Sequence, residues 1–294
     1  MLKVISLSLF GYNNNHSECH TFDSFIRFLS INLRAAKTIF NDWKIYLALD
    51  KESYTAYQGY FDFCKNNGII DYIDIHERRQ LTRNMLWRVI PVSWADYTIC
   101  RDIDSLFTYR ELQAVNKWIQ NGTMAHSMND SLGHTIPLLG GMIGFRKNAF
   151  DINNIDSCRL DYSIKGADQD YLNQVVYPQV QNSITEHRVI GMPVRSENPY
   201  SYNHIENIQV DTSNYDEYSK EFLINPELLE RCNALTNHIG CGGILIDPVF
   251  NEISNRKYEG ALPFWSKHCS EELNNKLNEI EKEYPNVFYW QKSN

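Results

Sequence analysis

The chain of 294 residues is long enough to bury a sizeable core and short for two independent domains. A hydrophobic fraction of 43% with a charged fraction of 22% is that of a folded globular protein and excludes wholesale disorder. A formal net charge of -8 excludes a partner held by neutralising phosphates with lysine and arginine, as duplex nucleic acid is, and a small phosphorylated ligand would need a cation between its phosphates and the local carboxylates.

In chain order, LKVISLSLF is a run of β-branched and aliphatic residues that predicts a first strand. FDSFIRFLSINL follows with Phe22, Phe25, Ile26, Leu29 and Leu33 at helical spacing. WKIYLALD predicts a second strand, and SYTAYQGYFDFCKNNG one helix with Tyr54, Tyr57, Phe61 and Cys64 on a common face and Gly68 as its stop signal. IIDYIDI reads as a third strand, LTRNMLWRVIPV as a helix ending near Pro91, and DYTIC as a fourth strand. Beyond residue 108, ELQAVNKWIQ predicts a helix, TMAHSM a strand, LLGGMIGFRKN a turn and strand, and GADQDYLNQVVYP a helix. From about residue 186 the periodicity weakens into polar, tyrosine-rich sequence, and SEELNNKLNEIEKEY predicts a solvated amphipathic helix near the end.

Strand and helix alternating in this way imply an α/β protein, with a mostly parallel sheet covered by helices on both faces. Ligands in such sheets bind at the carboxyl ends of strands, near a reversal of strand order. The first apolar run, MLKVISLSLF, is too short to span a membrane and carries no small-residue cleavage pattern, and no later segment reaches membrane-spanning length. The seven cysteines form no CxxC pair, which fits reduced thiols packed as small hydrophobes. The expectation is a soluble, cytoplasmic protein without a signal peptide.

The fourth strand delivers two carboxylates, Asp102 and Asp104, one residue apart. On a continuing strand residues i and i+2 share a face, and at a strand end they can converge on one cation. Oxygen ligands favour Mg²⁺ or Mn²⁺, and an added imidazole tilts the choice toward Mn²⁺. The alternative is a strand ending in a solvated turn with Asp104 as a cap. A second acidic pair, Asp168 and Asp170, opens the DQDYLN helix, where Asp168 is either a site residue or an N-cap above a core of Leu172 and Val176. In HSMNDSLGH, Asp130 is a candidate general base, with His126 and His134 close in sequence; the other reading of that stretch is polar surface. Tyr200, Tyr202, Tyr215 and Tyr218 each combine an apolar ring face with a hydroxyl, for stacking on a sugar ring or for packing at the surface.

Taken together, MLWRVIP, YTICRDIDSLF, LLGGMIGF, DQDYLN, NHIG and LPFW resemble, in order, the signature blocks of nucleotide-sugar glycosyltransferases of the GT-A fold. The DQDYLN block is most similar to the retaining glycogenin-type and bacterial galactosyltransferase members. The resemblance implies a Rossmann-like domain over residues 1–265, with a nucleotide-binding half to about residue 108, an acceptor and metal-completing half over 109–265, and a helical tail over 266–294. It implies that Asp102 meets the nucleotide ribose and the metal, that Asp104 chelates the metal, and that His238 completes the metal site. It further implies that Arg88 reaches the donor phosphates or sugar, that the backbone of Gly140 and Gly141 approaches the sugar, and that Asp168 and Gln169 lie beside the reacting carbon. Where the family carries a lysine before its proline and tryptophan, this chain has Pro263 and Trp265 without one.

The activity so implied is a Mn²⁺- or Mg²⁺-dependent transfer of a sugar from a nucleoside-diphosphate sugar, UDP-linked by preference, to a hydroxyl on a glycan or other acceptor, with retention. The rivals are an inverting enzyme using Asp130, a catalytically silent nucleotide- or carbohydrate-binding module on the same scaffold, and a nucleotidyltransferase. The last lacks a glycine-rich phosphate loop near the first strand, where FGYNNNHSECH is polar instead.

Overall fold

The computed structural model describes residues 1–13, 21–107, 109–129, 136–189, 205–208 and 266–288. Its centre is an eight-stranded sheet of order β3-β2-β1-β4-β6-β5-β7-β8. The strands are β1 (Lys3–Leu9), β2 (Lys44–Asp50), β3 (Tyr72–His76), β4 (Tyr97–Arg101), β5 (Ala125–Met128), β6 (Met142–Arg146), β7 (Ile184–Val189) and β8 (Ile205–Ile208). Every pairing is parallel except those of β6, which runs antiparallel to β4 and β5. The protein is therefore α/β with a mostly parallel, Rossmann-like sheet, as the strand and helix alternation requires.

The two faces of the sheet are apolar because its strands carry aliphatic residues at consecutive positions. Ile5, Leu7, Ile45, Leu47 and Ile99 point into the larger core, under α1 (Phe22–Ile39), α3 (Gln58–Asn66) and α5 (Tyr109–Asn121). Val4, Tyr46 and Ala48 point to the other face, toward Trp87, and Cys100 on that face meets Leu86, Val89 and Tyr171. From β1 the chain proceeds outward to β2 and β3, then returns to lay β4 on the opposite side of β1. That reversal opens a crevice at the carboxyl ends of β1 and β4, where a sheet of this kind binds ligands.

Three helices differ from the sequence expectation. The segment after β2 is two helices, α2 (Lys51–Ala56) and α3, broken at Tyr57, whose ring packs against Phe22, Tyr12 and Tyr284. The segment ending near Pro91 is a short helix, α4 (Leu81–Met85), followed by a 3₁₀ helix over Leu86–Ser93 that contains the proline. A proline inside an α-helix lacks the N–H and crowds the carbonyl four residues back, and the tighter winding accommodates it. After a one-turn helix, α6 (Asn154–Ser157), the DQDYLN segment starts as α7 (Ala167–Tyr171), widens to a π-type turn over Leu172–Val176 and closes as α8 (Tyr177–Val180). Pro178, without an amide hydrogen, sits at the end of the widened turn.

The terminal helix, α9 (Glu271–Lys282), is amphipathic as expected, but it is anchored by charge as well as by its apolar stripe. Leu277 and Ile280 enter the large core, and Glu281 is fully buried against Arg34 of α1 at 2.7 Å. Arg34 also donates to Asn274 and Asn278 of α9. No helix of the described residues is long and apolar enough to cross a membrane. Cys64 and Cys100 are buried free thiols whose burial pushes both up to about 12, in keeping with unreactive packing.

Candidate functional site

A cleft of about 450 Å³ opens at the reversal of strand order. Its walls are Ser8, Leu9 and Phe10 at the end of β1, Phe25 of α1, Leu81 and Met85 of α4, Arg88 of the 3₁₀ helix, the turn Asp102–Asp104 after β4, and Lys165.

Strand β4 ends at Arg101, so the acidic pair stands on the turn that follows and not on the strand itself. The alternation of burial nevertheless continues through the turn, with Arg101, Ile103 and Ser105 buried and Asp102 and Asp104 half-buried, so both carboxylates line the one cleft. Two buried side chains hold the turn. The Arg101 guanidinium donates to the carbonyls of Ser105 and Leu106, lies 3.3 Å from Glu111 and stacks over Phe107. From α1, Asn32 donates its amide to the Ile103 carbonyl at 2.5 Å and accepts from the Phe107 amide. A half-exposed acidic turn with a buried back is thereby fixed by the fold itself.

Arg88 lies between carboxylates. Its Nη1 donates to Oδ1 of Asp102, and its Nη2 is 3.5 Å from Oδ2 of Asp168. Burial opposes the charge of this guanidinium, but Asp102 and Asp168 outweigh it and hold the group above its ordinary range. Asp168 is almost fully buried; that burial pushes its carboxyl up, against the opposing pull of Arg88. The α7 segment brings Asp168 here through Gly166, whose left-handed φ of 92° turns the chain into the helix.

The glycine pair completes the constellation. A β-carbon at position 140 would lie 2.5 Å from Arg88 Nη2 and 3.1 Å from Gln169 Nε2, and one at position 141 only 1.8 Å from Asp102 Oδ2. The Gly140 amide donates to Gln169 Oε1 at 3.2 Å. Seven residues expected from the sequence, Arg88, Asp102, Asp104, Gly140, Gly141, Asp168 and Gln169, are therefore gathered at one end of the sheet. Asp130 and His238 lie outside the described residues, as do His134 and Tyr200, Tyr202, Tyr215 and Tyr218. His126 is not polar surface: β5 runs between β6 and β7, and His126 is 2% exposed, stacked on Trp118 in the sheet interior.

Other residues that build this site are not evident from the sequence. Asn173 spans to the glycine turn, accepting from the Leu138 amide and donating to the Leu138 and Gln169 carbonyls at 2.9 and 2.8 Å. It stands four residues after Gln169 on the same helical segment, and that spacing is the signal that could have revealed it. Behind the loop after β1, buried Asp50 accepts from the Gly11 amide at 2.9 Å and from Arg78 Nε at 2.5 Å, while Arg78 Nη2 donates to the Tyr12 carbonyl. Gly11 has φ 90°, a conformation that calls for glycine.

Asp102 and Asp104 supply the oxygen donors that a divalent cation of the Mg²⁺ or Mn²⁺ kind takes, and Gly141 leaves the space in which one of them sits. No group of three or more metal-ligating side chains occurs among the described residues. In chemical terms the site offers two accessible carboxylates, one buried carboxylate beside a guanidinium, a positioned amide and a backbone with no side chain in the way.

No family model and no curated protein matches the sequence. Among solved structures, similarity extends to 4-diphosphocytidyl-2C-methyl-D-erythritol synthase from Anaerococcus prevotii, at 12% identity and TM-score 0.41 over 64% of this chain and 86% of that one. It extends also to residues 1–349 of S. aureus TarS, at 11% identity and TM-score 0.42 over 98% and 89% of the two chains. A third is an assigned nucleotide-diphospho-sugar transferase from Desulfovibrio desulfuricans, at 10% identity and TM-score 0.42 over 89% and 99%. Overlaps of this size assign no activity to this chain, and its fold is defined by its own strand order.

Proposed function

We propose that this protein is a glycosyltransferase of the GT-A type, which moves a sugar from a nucleoside-diphosphate sugar to a hydroxyl acceptor. The observation that carries the reading is the meeting of Arg88, Asp102, Gly141 and Asp168 in one hydrogen-bonded and close-packed group at the strand-order reversal. These residues come from segments up to 80 positions apart, and chance D-x-D pairs have no reason to converge with a glycine turn in this way.

In this reading Asp102 and Asp104 would hold Mn²⁺ or Mg²⁺, with His238 as the further ligand that the resemblance implies. A divalent ion held there would act as a Lewis acid toward the diphosphate leaving group. The chain's own residues do the rest. Gly140 and Gly141 let the donor sugar approach the backbone. Arg88 orients Asp102 and opposes the upward push that burial gives the Asp168 carboxyl. The Asp168 carboxylate and the Gln169 amide then face a sugar carbon that gains positive charge as its bond to phosphate breaks, which suits retention of configuration. Fixed groups that meet charge only as it develops are worth about 3 to 4 kcal/mol each in barrier. A UDP-sugar is the preferred donor, and a glycan is the preferred acceptor.

Thermal melting of the protein with Mn²⁺ and a panel of nucleotide sugars tests the reading, because a cognate donor raises the melting temperature by mass action. The expected result is a clear shift with one donor class, followed by release of nucleoside diphosphate on incubation, and loss of both in Asp104→Ala without loss of the fold. Binding without release would favour the silent module instead. Full activity of Asp104→Ala, or activity undiminished by exhaustive chelation, would overturn the metal-dependent reading.

A further inference from the structure

Two cations are present among the described residues that line the cleft, Arg88 and Lys165. Arg88 is 4% exposed and its charge is matched by Asp102 and Asp168. Lys165 is exposed and makes no hydrogen bond or ion pair among the described residues. The cleft thus presents the carboxylates of Asp102 and Asp104 and one ammonium group that none of the described residues engages.

The backbone under that ammonium is well fixed. The amide and hydroxyl of Ser163 both donate to Oδ1 of Asp161, at 3.0 and 2.6 Å. The Ala167 amide bonds to the Ile164 carbonyl at 3.2 Å, enclosing Lys165 and Gly166 in a turn. Thr82 of α4 donates to the Tyr162 carbonyl, which ties this turn to the helix whose Leu81 and Met85 share the cleft wall. A lysine on a fixed turn at the edge of the cleft, engaged by none of the described residues, is free to meet an anion that a ligand supplies.

We propose that Lys165 binds the diphosphate of the donor, an inference that rests on the nucleotide-sugar reading above. A phosphate entering this cleft approaches two carboxylates, and it finds the buried guanidinium already engaged. An ammonium on a flexible four-carbon stem is a compact point charge that can follow phosphate oxygens as the ligand enters and leaves. When the bond from the anomeric carbon to the phosphate oxygen breaks, its electron pair goes to that oxygen. The Lys165 ammonium meets the added charge and gives up no proton in the step. Lys165 also stands three residues before Asp168, so one short segment would serve both the departing diphosphate and the sugar carbon.

The test is calorimetric titration of the full chain, in manganese chloride, with UDP, GDP, ADP and CDP, and then with the monophosphate of whichever binds. Lys165→Ala is expected to weaken diphosphate binding about tenfold or more, the size of a charged hydrogen bond, and to weaken monophosphate binding much less. Lys165→Arg should restore most of the lost affinity. The melting temperature of the unliganded Lys165→Ala chain should match the wild type, since the side chain bonds to none of the described residues. Equal diphosphate binding by wild type and Lys165→Ala, or an equal loss for mono- and diphosphate, overturns the assignment of Lys165 and leaves the nucleotide-sugar reading standing. A wild-type chain that binds none of the four diphosphates overturns that reading, and the role of Lys165 with it.

Discussion

A β-carbon at position 141 would fall 1.8 Å from Oδ2 of Asp102, so that carboxylate occupies its place only because residue 141 is glycine. The obstructing atoms belong to a side chain and not to backbone, and Gly141 does not have a positive φ. Gly141→Ala should therefore be absorbed by rotation of Asp102 away from Arg88, with little effect on the fold. The expected outcome is an unfolding free energy within about 1 kcal/mol of wild type, together with loss of manganese-dependent nucleotide binding. Denaturant titration and calorimetry read the two effects separately, and unchanged binding would mean that Asp102 need not stay where it is.

Arg88→Ala should be far more damaging than its position in a ligand cleft suggests. Asp168, 5% exposed in its side chain, would be left buried without a cation, at a cost of about 3 kcal/mol. Asp102 is 42% exposed and adds little to that figure. Arg88→Lys keeps the charge but not the fork that reaches both carboxylates, so it should recover part of the loss. Urea unfolding of the two variants checks the order, and equal stability of Arg88→Ala and wild type would refute the strut.

The acid response should be traceable to Asp50. Burial raises its carboxyl, but bonds from Ser53, Gly11 and Arg78 outweigh that and hold it below its ordinary value of 3.8. The folded state thus binds this proton less tightly than the unfolded state. The stabilisation is complete above about pH 4 and is lost as pH falls through the lowered folded value. Asp71, lowered by Lys44, the Ile45 amide and Lys37 against its own burial, acts in the same sense. Asp50→Asn can still cap α2 but gives up the charged pairing with Arg78. It should be about 1 to 3 kcal/mol less stable at neutral pH and lose less on acidification. Stability measured from pH 3 to 7 should show a shallower profile for the variant.

The Arg34 and Glu281 pair, both with fully buried side chains, should govern docking of the terminal helix. Glu281→Ala leaves the guanidinium uncompensated and should cost about 3 to 5 kcal/mol. Replacing both partners together, as Arg34→Met with Glu281→Leu, should return much of that, because the expense lies in the orphaned charge and not in the missing bond. Equilibrium unfolding of the single and double variants forms a cycle that measures the coupling.

The chain itself determined the alternation of strand and helix, because consecutive aliphatic positions in LKVISLSL and KIYLAL can be satisfied only by a sheet covered on both faces. It also determined that a pair of carboxylates would follow β4 at the carboxyl end of the strand, the edge at which sheets of this kind bind ligands. Local pattern could not show the break at Tyr57 or the π-type turn after Tyr171, since each is settled by packing or by a proline downstream. Nor could it show that Arg88 is held between Asp102 and Asp168, that Asn173 pins the glycine turn, or that Glu281 is buried by a residue 247 positions earlier. Periodicity reports which face of a segment is apolar; which charges meet across the cleft depends on how the segments close on one another, and only the tertiary structure decided that.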